Sequence, residues 1–479
     1  MATLSEQEID AIARRIVADL DRRRSAPAAP RPVEAGGGRM GIFSSVDEAA
    51  RAASEAQPRF VALPLRSRAR IIAAIRETMI DQAADLAKAA HEETGLGRAE
   101  DKVVKNLLVT EKTPGLEALY PEATTGDHGL TLMEPAPFGV IGAITPCTNP
   151  TSTIICNAIG MLAAGNTVVF NVHPTAKRCS MQTVVLLNHA IMAAGGPPNV
   201  VTCLSNPSIE TAQETMRHPA IRLLVVTGGG AVVRAAMASG KRAICAGPGN
   251  PPVVVDETAH IDKAGRDIVA GASTDNNIIC TDEKEVLAVA SIADALIKAM
   301  VAAGAIPVER GRLPQLENLL FTKTEGPRRP AHVNAELVGK NAGVILGRLG
   351  MNVPASARLG IVEVDEAHPL LWTEQMLPIL PICRVPDASY AIDLAVQVEG
   401  GNRHTAIMHS MNLGNLSRMA KACDCSIFVK NGRSQAGLGL DGEGHTSFTI
   451  ASPTGEGLTG PRSFSRWRRC VLVDHFRIT

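Results

Sequence analysis

Net charge is the first thing this sequence lacks: 48 Lys and Arg balance 48 Asp and Glu, so no long-range field draws the chain to nucleic acid or to a membrane surface. Aromatic residues are scarce, at 3% of the chain. The one Arg cluster, Arg466, Arg468 and Arg469, therefore has too little aromatic interleaving for a nucleic-acid patch and reads as a solvated or subunit-facing group. No apolar run reaches the roughly 18 residues that a membrane-spanning helix requires. Near the N-terminus, Glu6, Glu8, Asp10, Arg14 and Arg15 interrupt what would be the apolar core of a secretion signal. Cysteine is present ten times but never in a framework spacing, in a chain of 479 residues that is far larger than disulfide-stapled domains. These absences predict a soluble protein of a reducing cytoplasm, with no nucleic-acid or membrane partner.

The length is too great for one ordinary core and predicts two or three domains. A separate unit comes first. Ser5 followed by Glu8 forms a capping box, and Ile9, Ile12, Ala13, Ile16, Val17 and Leu20 recur at helical spacing with charges opposite. Residues 22–39, rich in Arg, Ala, Pro and Gly, then read as a flexible tether. A short amphipathic helix on a tether either docks on its own domain or serves as a docking peptide for a partner.

From Met40 the chain is globular, strongly helical from Val46 to His91 and onward to about Leu119. GDHGLTLMEPAP, ending at Pro137, predicts a turn and one or two projecting strands. Short β-rich runs then alternate with helical stretches, at Val140 to Thr145, Thr167 to Phe170, Val200 to Leu204 and Leu223 to Val226. Such alternation predicts a parallel sheet with helices on both faces, and a dinucleotide site at the strand C-terminal ends.

Within this frame a few residues carry chemistry. Cys280 lies in GASTDNNIICTDEKE, between a helical pattern (Ile261, Ala264, Ile268) and an apolar run (Val286 to Val289). Asp275, Asn276 and Asn277 make that loop polar enough to face a cleft, so Cys280 reads either as a displayed nucleophile or as a buried structural cysteine. Asn149, in ITPCTNP, is a turn residue or an oxyanion donor. Thr227-Gly228-Gly229-Gly230 follows a strand and precedes a helix, where a phosphate can approach the backbone, although the GxGxxG pattern is absent. His173 is a ribose contact or a capped loop. Glu374, in LWTEQMLPILPI, is an acid in an apolar stretch, costly unless partnered or functional. Cys423-Asp424-Cys425 is a poor zinc signature, with no second pair nearby, and no metal is expected.

Taken together, PFGVIGAITPCTNP, NVHPTAK, TGGGAVV, AGPGNPP, DNNIIC, TEQMLPILP, EGGNRHTA and the tail GEGHTSFTIASPTGEG resemble the aldehyde dehydrogenase superfamily, and within it the coenzyme A-acylating branch of bacterial microcompartments. The resemblance spans the chain. It implies an α/β fold with a Rossmann-type NAD domain (40–119 and 136–245), an α/β catalytic domain (246–443) and a small β oligomerisation element (120–135 and 444–479). It makes Cys280 the nucleophile, Asn149 the oxyanion donor together with the Cys280 backbone N–H, and Glu374 a ligand of the nicotinamide-side ribose. Thr145, Pro146, His173, Thr227, Gly228 and Gly229 would line the dinucleotide site.

Hydrolytic members carry a glutamate base at the start of an ELGG-type turn; here that turn reads Ala246-Gly247-Pro248-Gly249. The resemblance therefore implies NAD and coenzyme A as co-substrates and a short aldehyde, propionaldehyde ahead of acetaldehyde, as substrate. It also turns residues 1–21 into an encapsulation helix that packs on shell proteins of a microcompartment, and implies a homodimer or homotetramer. His404 stays open between handling the coenzyme A thiol and a satisfied structural role.

Overall fold

The computed structural model describes residues 39–354 and 356–478; the helix expected at 4–20 lies outside them. Two parallel sheets organise the rest. In the first, the central strand Val140–Ile144 has Thr167–Asn171 and then Val201–Leu204 on one side, and Ile221–Thr227 and then Ala243–Ala246 on the other, with the two-residue strand Ile42–Phe43 at one edge. All the pairings are parallel. Chain direction across the sheet thus reverses at the central strand, the position where doubly wound folds open a ligand crevice.

The second sheet has seven parallel strands, in the spatial order Ile306–Val308, Gly360–Glu363, Ile379–Val385, Glu285–Val289, Pro252–Val255, Thr405–His409 and Ile427–Lys430. Its central strands are buried along their whole length, which is why they read as unbroken Val/Ile/Leu runs rather than alternating ones. Ile141 and Val168 of the first sheet share one continuous core with Val253 and Val286 of the second. The chain crosses between the sheets once in this region, through Gly247–Pro251.

The segment before Pro137 forms the expected hairpin, Glu122–Gly126 and Gly129–Pro137, and the tail strand Ser465–Val473 adds to it antiparallel. Gly129 turns at φ +111° with its Cα against the Leu472 carbonyl, where any side chain would collide. Arg462 stacks between Tyr120 and Trp467, 4.3 and 5.0 Å from their ring centroids. Val471, Val473, Phe476 and Ile478 of the tail are exposed. No helix among the described residues is long and apolar enough to cross a membrane.

Candidate active site

The candidate residues gather at strand ends of the two sheets. Three adjacent strands of the first sheet end at Ile144, Asn171 and Thr227, with Ile144 beside Asn171 on one side and Val226 on the other. Their C-terminal ends therefore gather Thr145 to Asn149, His173 and Thr227 to Gly229 on one rim. The second sheet contributes the opposite ends of its strands. Glu374, Cys280, Gly249 and His404 each lie just before one of four neighbouring strands that begin at Ile379, Glu285, Pro252 and Thr405. Lys105 bridges the two groups, reaching Asn149 of the rim and Asp275 of the cysteine loop.

The rim of the first sheet carries features that a dinucleotide phosphate requires. Helix Gly230–Met237 starts at Gly229, φ −66°, with no side-chain cap, so its first N–H groups are free to meet an anion. Nothing lies within 4 Å of where a Gly229 side chain would stand. Thr145 is buried and its Oγ1 has no partner, a donor held ready for a ligand. Thr227 differs, since its hydroxyl pairs with Thr449 Oγ1 of the tail at 2.9 Å. Pro146 is half-buried and exposed His173 caps its own turn, with Nδ1 2.8 Å from Thr175 Oγ1. These residues fit NAD. Among the described residues, no group of three or more His, Cys, Asp or Glu is placed to hold a metal ion.

Cys280 is half-buried at the end of a turn built on three consecutive left-handed residues, Asp275 (φ 47°), Asn276 (φ 56°) and Asn277 (φ 65°). Left-handed backbone costs an ordinary residue roughly 1–2 kcal/mol, less for Asp and Asn. Thr274 and Ile279 of this loop line a cavity, but the three polar residues themselves are buried, each consumed in fixing the turn. Asp275 accepts from the Arg98 N–H at 2.6 Å and Lys102 Nζ at 2.9 Å, and also from Lys105 Nζ. Asn276 donates to the Gly339 carbonyl at 2.8 Å and to Asn341 Oδ1 at 2.9 Å. Asn277 donates to the carbonyls of Ala272 and Glu283 at 2.8 and 2.9 Å. With its shape over-determined in this way, the loop can hold Cys280 without a regular element around it.

Gly249 knits the remaining groups to Cys280. A Cβ there would stand 2.6 Å from the Cys280 carbonyl and 2.9 Å from His404 Cγ, and its N–H donates to Glu374 Oε1 at 3.2 Å. That bond partners the acid flagged in the apolar stretch, and burial raises its carboxyl above the ordinary range. The thiol of Cys280 is pushed up to about 12, first by burial and then by the Glu374 carboxylate, with Lys284 pulling the other way. His404 is fully buried with Nδ1 on Thr405 Oγ1 at 2.9 Å and Nε2 unpartnered. Burial and the Lys284 ammonium lower it to about 4, so it is a neutral imidazole that can accept one hydrogen bond.

Four charged residues right after the nucleophile, Asp282, Glu283, Lys284 and Glu285, are also fully buried. Lys284 Nζ donates to the Asn277 carbonyl at 2.7 Å and Asn277 Oδ1 at 2.6 Å, and Glu283 takes the N–H and hydroxyl of Ser434 at 2.7 and 2.8 Å. Asn149 lies one residue before helix Pro150–Ala163, but its side chain does not cap it; its Oδ1 accepts from Lys105 Nζ at 2.5 Å. Lys102 and Lys105, on helix Ala99–Lys112, escaped the sequence reading. Their signal was two lysines three residues apart on the same face as Asn106 and Val109, the buried face of that helix. Beside them, Val104, Leu108, Ile279, Leu438, Leu440 and Phe448 line a cavity of about 150 Å³.

Comparison with known proteins decides the family. The aldehyde dehydrogenase family profile matches residues 41–444. The chain belongs to the aldehyde dehydrogenase family. Within this family it is 51% identical over 440 residues to the acetylating acetaldehyde dehydrogenase EutE of Salmonella typhimurium, covering 92% of this chain and 94% of that one. The propionaldehyde dehydrogenase of Rhodopseudomonas palustris, solved with bound CoA and an acylated cysteine, superposes with a TM-score of 0.88 at 49% identity, covering 91% of this chain and 99% of the other. A propionaldehyde dehydrogenase from the fucose utilisation microcompartment of Clostridium phytofermentans gives a TM-score of 0.89 at 47% identity, covering 92% and 100%. The aldehyde dehydrogenase-like α/β fold that the motifs implied is the fold observed.

Proposed function

We propose that the protein is an NAD-dependent, coenzyme A-acylating aldehyde dehydrogenase that oxidises a short aliphatic aldehyde to its acyl-CoA through a thioester on Cys280. One observation carries the acylating form of this reading. The turn packed on Cys280 begins at buried Ala246 and offers no carboxylate to activate water, and the acid beside the thiol, Glu374, is engaged by the Gly249 N–H. An acyl-enzyme formed there survives until another thiol arrives.

Cys280 Sγ, as thiolate, attacks the aldehyde carbon, and the Asn149 amide with the Cys280 backbone N–H receives the charge that develops on oxygen. When bound, the dinucleotide supplies the hydride acceptor. Loss of hydride restores the carbonyl as a thioester, and exchange with the coenzyme A thiol breaks the bond to Cys280. Thr145, Pro146, His173, Thr227, Gly228 and Gly229 are assigned to the dinucleotide, and Glu374 to its ribose. The relatives named above act on two- and three-carbon aldehydes, acetaldehyde and propionaldehyde. A one-methylene difference between them is worth only about 10- to 200-fold.

The test is NADH formation from propionaldehyde and from acetaldehyde, with and without coenzyme A on one purified sample. Turnover that requires coenzyme A, with acyl-CoA appearing in step with NADH, is the expected result. Steady NADH without it would make water the acceptor and overturn the acylating form.

The microcompartment source of the Clostridium phytofermentans relative supports placing this enzyme among shell proteins, with residues 4–20 as the docking segment. Deletion of residues 1–20 is expected to end co-purification with shells and leave activity within about twofold; encapsulation of the truncated enzyme would reject that role. The exposed tail strand and its hairpin are assigned to a homodimer or homotetramer contact.

A further inference from the structure

We propose that Lys105 is a positioning residue for the oxyanion donor: its ammonium, anchored on Asp275, holds the Asn149 amide so that the Nδ2 hydrogens face the reacting carbonyl oxygen. This rests on the acylating reading above and adds to it the group that orients the amide.

The geometry is specific. A lysine has three donors and no acceptor, so the Asn149 atom 2.5 Å from Lys105 Nζ is Oδ1, and Nδ2 must point away from it. Nδ2 meets Thr148 Oγ1 at 3.2 Å, which takes one of its two hydrogens and leaves the other for a ligand. The lysine is in turn fixed. Its Nζ also donates to Asp275 Oδ2, whose two oxygens are shared with the Arg98 N–H at 2.6 Å and Lys102 Nζ at 2.9 Å. Lys102 also donates to the Thr148 carbonyl at 3.2 Å and so holds the backbone just before Asn149. Lys102, Lys105 and Asp275 are all buried, so their bonds act in a low dielectric and are little screened.

Position ties the network to the reaction. Asp275 belongs to the left-handed turn that sets Cys280, so one carboxylate references both the nucleophile and the oxyanion donor. Lys105 and Ile279, the residue before the nucleophile, line the same cavity. The aldehyde oxygen becomes negative as the thiolate adds to the carbonyl carbon. An amide that could rotate freely would present oxygen or nitrogen to that charge; the ammonium removes the wrong choice before substrate binds, which is preorganisation.

The experiment is a double-mutant cycle on the full-length enzyme with Asn149→Ala and Lys105→Met, read as kcat and KM for the aldehyde under saturating NAD⁺ and coenzyme A. Loss of one oxyanion donor lowers kcat by about 100- to 1,000-fold. Lys105→Met is expected to lower kcat at least about tenfold with KM changed by less than about threefold, and to cost less than about twofold more in the Asn149→Ala background. Alkylation of Cys280 by iodoacetamide, which forms no oxyanion, should proceed at the wild-type rate in every variant and certifies an intact site. Wild-type kcat in Lys105→Met, or the same fall with and without Asn149, overturns the proposal. Where Lys105→Met fails the alkylation check, the cycle is run with Lys105→Gln under the same criteria. Wild-type enzyme that produces no acyl-CoA would instead defeat the acylating reading itself, so the two failures are distinguishable.

Discussion

Cys280→Ala is expected to reduce NADH formation to background, a loss on the order of a million-fold, as when the nucleophile of an acyl-transfer enzyme is removed. The expectation follows from how much of the molecule is arranged around this one sulfur. Three consecutive left-handed residues shape its loop, Gly249 lies against its carbonyl, and Glu374 and Lys284 act on its thiol in opposite directions. Cys156, Cys179, Cys203, Cys245, Cys383 and Cys423 are instead buried within regular helices and strands. The measurement is absorbance of NADH on wild-type and variant enzyme, with the fold verified by circular dichroism. Retained turnover would move the nucleophile elsewhere, to half-buried Cys147 two residues before Asn149 in the first instance.

Asp275→Ala should be among the most destabilising single changes in the chain, by about 3–5 kcal/mol, because it strips a buried carboxylate from two buried ammoniums. It also places a β-carbon with no polar end at φ 47°. Burial and the neighbouring Lys105 charge lower Lys102 to about 8 even with Asp275 in place, which shows how strained the pair would be alone. Asp275→Asn keeps the left-handed tolerance and loses only the charge, so it should fall between wild type and Ala. Denaturant unfolding, or the half-life at raised temperature if unfolding is irreversible, ranks the three. A pH dependence accompanies them. Burial alone would raise the Asp275 carboxyl, but Lys105 and Lys102 override it and hold the folded value below the ordinary one. Its stabilisation is therefore complete above the unfolded value of about 3.9 and is lost as pH falls through the lower folded value. Wild type should show this acid-side loss and Asp275→Asn should not; equal profiles would mean the carboxylate does not carry the cluster.

Much of the site was legible because the chemistry is written in local strings. TPCTNP, TGGG and NNIIC sit at strand ends, and strand ends are recognisable from the apolar runs beside them. The strand expected at Val286–Val289 is part of Glu285–Val289, and the runs of the first sheet agree with the observed strands to within about two residues. What the sequence did not show is that Asp275, Asn276 and Asn277, the polar residues of the cysteine loop, are buried. Nothing local distinguishes an Asn bonded to water from one bonded to Gly339, because its partners lie more than sixty residues away.

The sequence by itself determined the alternation of strands and helices, the cysteine at a loop apex and the absence of a glutamate at the Ala246 turn, because each depends on residues adjacent in the chain. Only the tertiary structure gathered the candidate residues at strand ends of the two sheets. Only it brought Lys102 and Lys105 to Asp275, some 170 residues later. The physical reason is that a buried charge is stable only with its partner, and partnership across such a distance is set by how whole sheets and helices pack, which no local pattern encodes.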